Sequence, residues 1–150
     1  MLKKGSYNFS YSYFSLIFLL IFSPFNLIAN KNFLESEPLR VEEAFQIDFL
    51  VISPTETIIR WKISNSYYLY KKKIAFRSDD YFIEEIRLPV AQIKEDSYFG
   101  KSEVYYEIVE ATLIIKPKTQ ENTPKNITVE YQGCWEGGVC YPVEKILIKL

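Results

Sequence analysis

Thr57-Ile58-Ile59-Arg60-Trp61-Lys62-Ile63 places Ile59, Trp61 and Ile63 on one face of an extended chain, with the charged Arg60 and Lys62 between them. A period of two is what a strand with one buried face requires. Toward the N-terminus, Ala44-Phe45-Gln46-Ile47-Asp48-Phe49 alternates in the same way and runs into Leu50-Val51-Ile52. Toward the C-terminus, β-branched and aromatic runs recur at residues 67–76, 84–88, 108–116, 127–131 and 145–150. Turn-forming residues separate them: Ser53-Pro54, Ser64-Asn65-Ser66, Ser78-Asp79-Asp80, Leu88-Pro89, Pro117, Asn122-Thr123-Pro124 and Gly137-Gly138. Short strands punctuated in this way predict an all-β fold, an antiparallel β-sandwich or barrel. Only residues 41–45 suggest a helical turn, and no long segment with a 3.6-residue period interrupts the pattern.

The chain has 150 residues, enough for one domain with its own core. It contains no histidine, which excludes Ser-His-Asp and Cys-His nucleophile pairs, histidine-ligated zinc and an imidazole proton shuttle. Two cysteines are too few for a four-thiolate metal site but enough for one disulfide or one dithiol couple. No metal and no cofactor are therefore expected. A net charge of −1 gives no electrostatic reason to expect nucleic acid as a partner.

Lys3 and Lys4 precede an apolar run over residues 13–22, broken at Pro24 and followed by Asn26 to Ala29 and a polar stretch from Asn30. A positive start, a short apolar centre and a small-residue end read as a secretory signal peptide over residues 1–29, with an uncleaved anchor as the other reading. The apolar centre is short for a spanning helix, which needs about 20 residues. Residues 30–150 then form an exported domain. It has no membrane contact beyond the leader and lies in a compartment where disulfides persist.

The remaining signal is Tyr131-Gln132-Gly133-Cys134-Trp135-Glu136-Gly137-Gly138-Val139-Cys140-Tyr141-Pro142. Gly137-Gly138 permits a tight turn that lets Cys134 and Cys140 face each other. Spacing alone favours a structural staple, the default for a lone exported pair, over a redox couple. Glu136 and Glu144 are the near charges in sequence, and acids do not lower a thiol pKa. Such a dithiol reacts when a docked partner completes the site. Tyr131, Trp135 and Tyr141 bracket the pair, as shield, docking surface or core.

This segment resembles the YQGC-x5-CYP redox segment of the N-terminal periplasmic domain of the DsbD family of thiol:disulfide interchange proteins. Two further blocks follow the same order. Trp61-Lys62-Ile63 with Tyr67-Tyr68-Leu69-Tyr70-Lys71-Lys72 resembles W-x-I…YYLYRK. Leu88-Pro89 with Glu95-Asp96 and Phe99-Gly100-Lys101-Ser102-Glu103-Val104-Tyr105 resembles LP…ED-x-x-x-GKSEIY.

The resemblance implies an immunoglobulin-like sandwich that relays electrons from a thioredoxin-like donor to oxidised periplasmic proteins, including cytochrome c maturation factors. It would act as a monomer through transient mixed disulfides, as a thiol:disulfide exchange component. By position, Cys140 would form the mixed disulfide and Cys134 would resolve it. Asp96, Ser97, Tyr98 and Phe99 would fall on a cap loop over the disulfide, with Tyr68 and Tyr70 beside it. Where the family places phenylalanine as the shield, this chain has Tyr98. The family protein also continues into a membrane domain and a thioredoxin-like domain, whereas this sequence ends at Leu150; the expectation is that separate proteins supply those modules, or that the chain is a stand-alone carrier or a remnant. The competing expectation is an exported, non-enzymatic β-sandwich binding domain with a structural disulfide.

Overall fold

The computed structural model describes residues 37–119 and 125–150. The leader expected over residues 1–29 lies outside them. One helical turn, α1 (Val41–Ala44), carries Glu42 and Glu43 in its first turn, where the helix dipole favours acids. It leads into β1 (Phe45–Ser53), β2 (Glu56–Ile63), β3 (Tyr67–Tyr70), β4 (Ala75–Arg77), β5 (Tyr81–Arg87) and β6 (Gln92–Asp96). Then come β7 (Gly100–Tyr105), β8 (Ile108–Pro117), β9 (Asn126–Tyr131), β10 (Gly133–Trp135), β11 (Val139–Cys140) and β12 (Glu144–Lys149). Among the described residues no helix is long and apolar enough to cross a membrane.

The strands form three antiparallel sheets in the orders β1-β2-β8-β5, β11-β10-β3-β7-β6 and β12-β9-β4. Three connections join the second sheet to the third: Gln132 between β9 and β10, the 3-10 turn Lys71–Lys73 between β3 and β4, and residues 141–143 between β11 and β12. These two sheets pack across the core from the first, giving an immunoglobulin-like β-sandwich.

Alternation decides what the core contains. On β2, Thr57, Ile59, Trp61 and Ile63 are buried, while Glu56, Ile58, Arg60 and Lys62 are not. On β8 the buried set is Val109, Ala111, Leu113 and Ile115, and on β9 it is Ile127, Val129 and Tyr131. Trp61 carries the contact between layers, with its ring 6.1 Å from Phe76 and 6.0 Å from Tyr131. The buried Thr57 hydroxyl donates to the Leu50 carbonyl at 3.2 Å, so it is not left unpaired.

The run at residues 67–76 is not one strand. Leu69 and Tyr70 pair with β7, the three lysines make the 3-10 turn, and Phe76 pairs with β9. All four residues of β3 are buried, which alternation on one sheet face does not produce. Tyr67 and Leu69 join the main core, while Tyr68 and Tyr70 face away from it into a second, smaller cluster with Val104 and Cys134.

Gly133 lets β10 lie this close to β3. A Cβ there would collide with the Phe45 ring and lie 2.6 Å from the Tyr68 carbonyl oxygen. Overpacking of this kind costs about 1–3 kcal/mol. Gly133→Ala is expected to lower the unfolding free energy of the oxidised domain by that amount in urea denaturation. Unchanged stability would contradict the close approach.

Candidate functional site: a capped disulfide

Cys134 on β10 and Cys140 on β11 are direct ladder partners and form a disulfide. The hairpin between them turns at Gly138, whose φ of +94° suits glycine. The two sulfurs are not equivalent. Cys134, on the strand paired with β3, is completely buried, whereas Cys140 is half-buried.

Four groups meet at the Tyr70 hydroxyl. It lies 3.3 Å from Cys134 Sγ, 3.9 Å from Cys140 Sγ and 3.4 Å from the Tyr68 hydroxyl. It donates to Asp96 Oδ2 at 2.8 Å. Burial pushes both phenols above their ordinary range, and for Tyr70 the Tyr68 and Asp96 hydrogen bonds push further the same way. Tyr70 therefore keeps its proton, directed at Asp96.

Asp96 closes the network from the other side. Its Oδ1 accepts the backbone N–H groups of Tyr98 and Phe99, each at 2.8 Å, and so shapes the turn 97–99 between β6 and β7. Burial alone would raise its pKa, but the Phe99 N–H, the Tyr70 hydroxyl and the Tyr98 N–H together hold it below the ordinary carboxylate range. From this turn the Phe99 ring packs edge-on to Tyr70 at 4.9 Å, under the ammonium of Lys73 at 4.8 Å. The Tyr98 hydroxyl donates to the Gly138 carbonyl in the cysteine hairpin at 2.5 Å. The β6–β7 hairpin, the expected cap, is thus fastened to Tyr70 beside the sulfurs and to the cysteine hairpin itself.

A second fastening was not read from the sequence. Lys94 on β6 sits over the Tyr68 ring at 4.8 Å and pairs with Glu136 in the cysteine hairpin at 3.1 Å. Tyr106 also donates to Glu136, at 3.3 Å. Glu136 was visible as a charge between the cysteines. Lys94 carried no signal, because nothing in the sequence pairs β6 with that hairpin.

Of the residues expected around the site, Asp96, Tyr98, Phe99, Tyr68 and Tyr70 are brought together. Ser97 is exposed at the tip of the cap turn. Tyr131, Trp135 and Tyr141 are not part of the cluster around the sulfurs; all three pack with the main core. Alternation explains the separation for β10, where Cys134 points one way while Gly133 and Trp135 point the other. Tyr131 lies against Trp61 and Phe45, and burial pushes its pKa up to about 12. Tyr141 packs on Phe45 at 5.6 Å and donates to the Leu39 carbonyl.

The family model for the N-terminal domain of thiol:disulfide interchange protein DsbD matches residues 35–150. Thiol:disulfide interchange protein DsbD of Photorhabdus laumondii is 35% identical over 140 residues, covering 90% of this chain and 24% of that protein. The DsbD of Citrobacter koseri is 34% identical over 115 residues, covering 77% of this chain and 20% of that protein. The chain therefore spans about a quarter or less of the length of these relatives. Among solved structures, the reduced DsbD N-terminal domain of Neisseria meningitidis aligns with a TM-score of 0.65 and 28% identity, over 75% of this chain and 88% of that one. The complex between the DsbD N-terminal and PilB N-terminal domains of the same organism aligns at 0.57 and 26% identity, over 75% and 87% of the two chains. This chain belongs to the DsbD N-terminal domain family.

Two expected outcomes follow from the cap geometry. Tyr98→Phe removes the bond to Gly138 and leaves the ring. A partly exposed hydrogen bond contributes about 1 kcal/mol or less, so reduction of the disulfide by dithiothreitol should become about two- to five-fold faster. An unchanged rate would mean that the hydroxyl does not hold the cap. For Asp96, a folded pKa below the unfolded value stabilises the cap above about pH 4, and this is lost as pH falls through the folded pKa. Dithiothreitol is too slow a reductant in acid, so the readout there is amide hydrogen exchange of Tyr98 and Phe99. Their protection should drop below about pH 4, and in Asp96→Asn it should be low with no such step. A step retained in the variant would place the titrating group elsewhere.

Proposed function

We propose that this chain is a periplasmic thiol:disulfide interchange domain, which passes electrons from a reduced thioredoxin-like donor to oxidised thioredoxin-like acceptors through Cys134 and Cys140. The observation that carries the reading is the unequal burial of the two sulfurs, beside a hairpin fastened to Tyr70 and to the cysteine turn. A staple needs no cap. A loop closed by a sequence separation of 6 stabilises by only about 2–2.5 kcal/mol, in a domain with a core of its own.

The cycle runs through thiolate–disulfide exchange. In the reduced domain, the Cys140 thiolate attacks one sulfur of the acceptor's disulfide. A Cys140–acceptor mixed disulfide forms, and the acceptor's other sulfur leaves as a thiolate and takes a proton. The Cys134 thiolate then attacks Cys140 Sγ, which restores the Cys134–Cys140 disulfide and releases the acceptor as a dithiol. Two electrons have moved to the acceptor. The donor reloads the domain by the reverse sequence, its thiolate attacking Cys140 Sγ, the accessible sulfur, with Cys134 as leaving group.

The surroundings suit a guarded dithiol. Tyr70 has its proton committed to Asp96, so its oxygen is free to accept the Cys134 thiol proton at the 3.3 Å separation observed. The chain offers no histidine, and the charge linked to the pair through Tyr70 is the anion Asp96. Such an environment favours thiol over thiolate and slows reaction with adventitious oxidants. The relay needs no cofactor, and the domain acts as a monomer that docks one partner at a time. The complex of the Neisseria meningitidis relative with a PilB N-terminal domain is consistent with one-to-one docking of this kind.

The test is trapping. Cys134→Ala should accumulate mixed disulfides between Cys140 and thioredoxin-like proteins on non-reducing gels of periplasmic extracts. Cys140→Ala should accumulate few, and the double variant none. Equal trapping by the two single variants would remove the assigned asymmetry. No trapping by either would favour a binding domain with a structural disulfide.

A further inference from the structure

The interchange reading leaves unexplained a groove of about 240 Å³ beside the cap. One wall is apolar, made by Tyr70 and Phe99, and the rim carries Lys72, Lys73 and Lys101. Its single acid, Glu103, is engaged by Lys71 at 2.7 Å. Lys73 lies over the Phe99 ring. Lys72 and Lys101 are exposed, and neither makes an ion pair among the described residues. Glu95 stands opposite Lys101 in the β6–β7 ladder but makes no ion pair with it. A chain of net charge −1 thus gathers three ammonium groups around a groove whose own carboxylate is already neutralised.

The backbone holds this charge in place. The 3-10 turn fixes Lys71–Lys73 at the end of β3, and Lys101 follows Gly100 at the start of β7. The groove is also coupled to the sulfurs. Tyr70 forms part of its wall and places its hydroxyl 3.9 Å from Cys140 Sγ. Phe99, the other wall, is part of the cap. A group seated in the groove therefore touches the same Tyr70 side chain that reaches Cys140, and it touches the Phe99 ring of the cap turn.

We propose that this groove docks acidic side chains of the redox partner, carboxylates placed near the partner's reactive cysteine, and so orients its sulfur over Cys140. The inference rests on the interchange reading. Charge complementarity identifies the occupant: three cations that make no ion pair among the described residues, set in a concave surface with an apolar wall, focus the field on an incoming carboxylate.

The probes are three short peptide disulfides whose cysteine is flanked by glutamates, glutamines or lysines. Each is reduced by the full chain in its reduced form. The rate is taken relative to that of neutral 2-hydroxyethyl disulfide, so that general changes in thiol reactivity cancel. At low salt the glutamate peptide should react about tenfold faster than the glutamine peptide, and the preference should vanish near ~0.5 M salt. In Lys72→Glu/Lys101→Glu, both exposed positions, the order should invert in favour of the lysine peptide. Equal relative rates for the three peptides with the native chain would overturn the docking proposal and leave interchange standing. So would a glutamate preference untouched by the double variant. If the reduced chain reduces neither 2-hydroxyethyl disulfide nor any peptide, the interchange reading fails, and docking fails with it.

Discussion

The hydrogen bond from Tyr70 to Asp96 is the contact on which the rest of the site depends. It joins β3, the strand beside Cys134, to the turn between β6 and β7, and it determines where a proton sits beside Cys134. Tyr70 can play this part only because β3 is buried on both faces. Tyr67 and Leu69 anchor the strand in the sandwich core, so that Tyr68 and Tyr70 stand on the opposite face with their rings fixed 5.3 Å apart. A strand with one solvent face would leave those hydroxyls to water. A buried, satisfied polar network specifies geometry in a way that an exposed one does not.

From that contact the cap's design follows. Asp96 uses one carboxylate oxygen to hold Tyr70 and the other to hold the turn, so turn shape and proton position are set by the same group. The β6–β7 hairpin is then tied to the cysteine hairpin twice, from its turn at Tyr98–Gly138 and from β6 at Lys94–Glu136. These outer ties are partly exposed and individually weak. A partner that offers its own contacts to the hairpin can therefore replace them without disturbing the sandwich. In the proposed relay, protection at rest and access on docking would both come from interactions of about 1 kcal/mol each, with the larger core energies left intact.

The sandwich was legible where alternation met a full core, as in Ile59-Arg60-Trp61-Lys62-Ile63 and along β8 and β9. It was not legible in Gln92-Ile93-Lys94-Glu95-Asp96. That strand has one aliphatic residue, Ile93, which is largely exposed, while its inward positions are the polar Lys94 and Asp96. A strand that faces a functional site instead of a core loses the hydrophobic period by which strands are found. Tyr67 to Phe76 read as one run because lysine does not break a strand; the break arises where the chain passes from one sheet to the next. Spacing left Cys134 and Cys140 open between staple and couple. The similarity of three ordered blocks suggested the couple. The aromatic residues flanking the pair in sequence, Tyr131, Trp135 and Tyr141, pack with the main core; for Trp135 the reason is that neighbours along a strand point to opposite faces.

Whether Cys134 and Cys140 are a working couple is tested most directly by the equilibrium reduction potential of that pair, measured in thiol–disulfide buffers. A relay that exchanges with thioredoxin-fold proteins must lie near their potentials, between about −270 and −180 mV. A value in that range is the predicted result. A value well below about −300 mV, where structural disulfides of secreted proteins lie, would contradict the account.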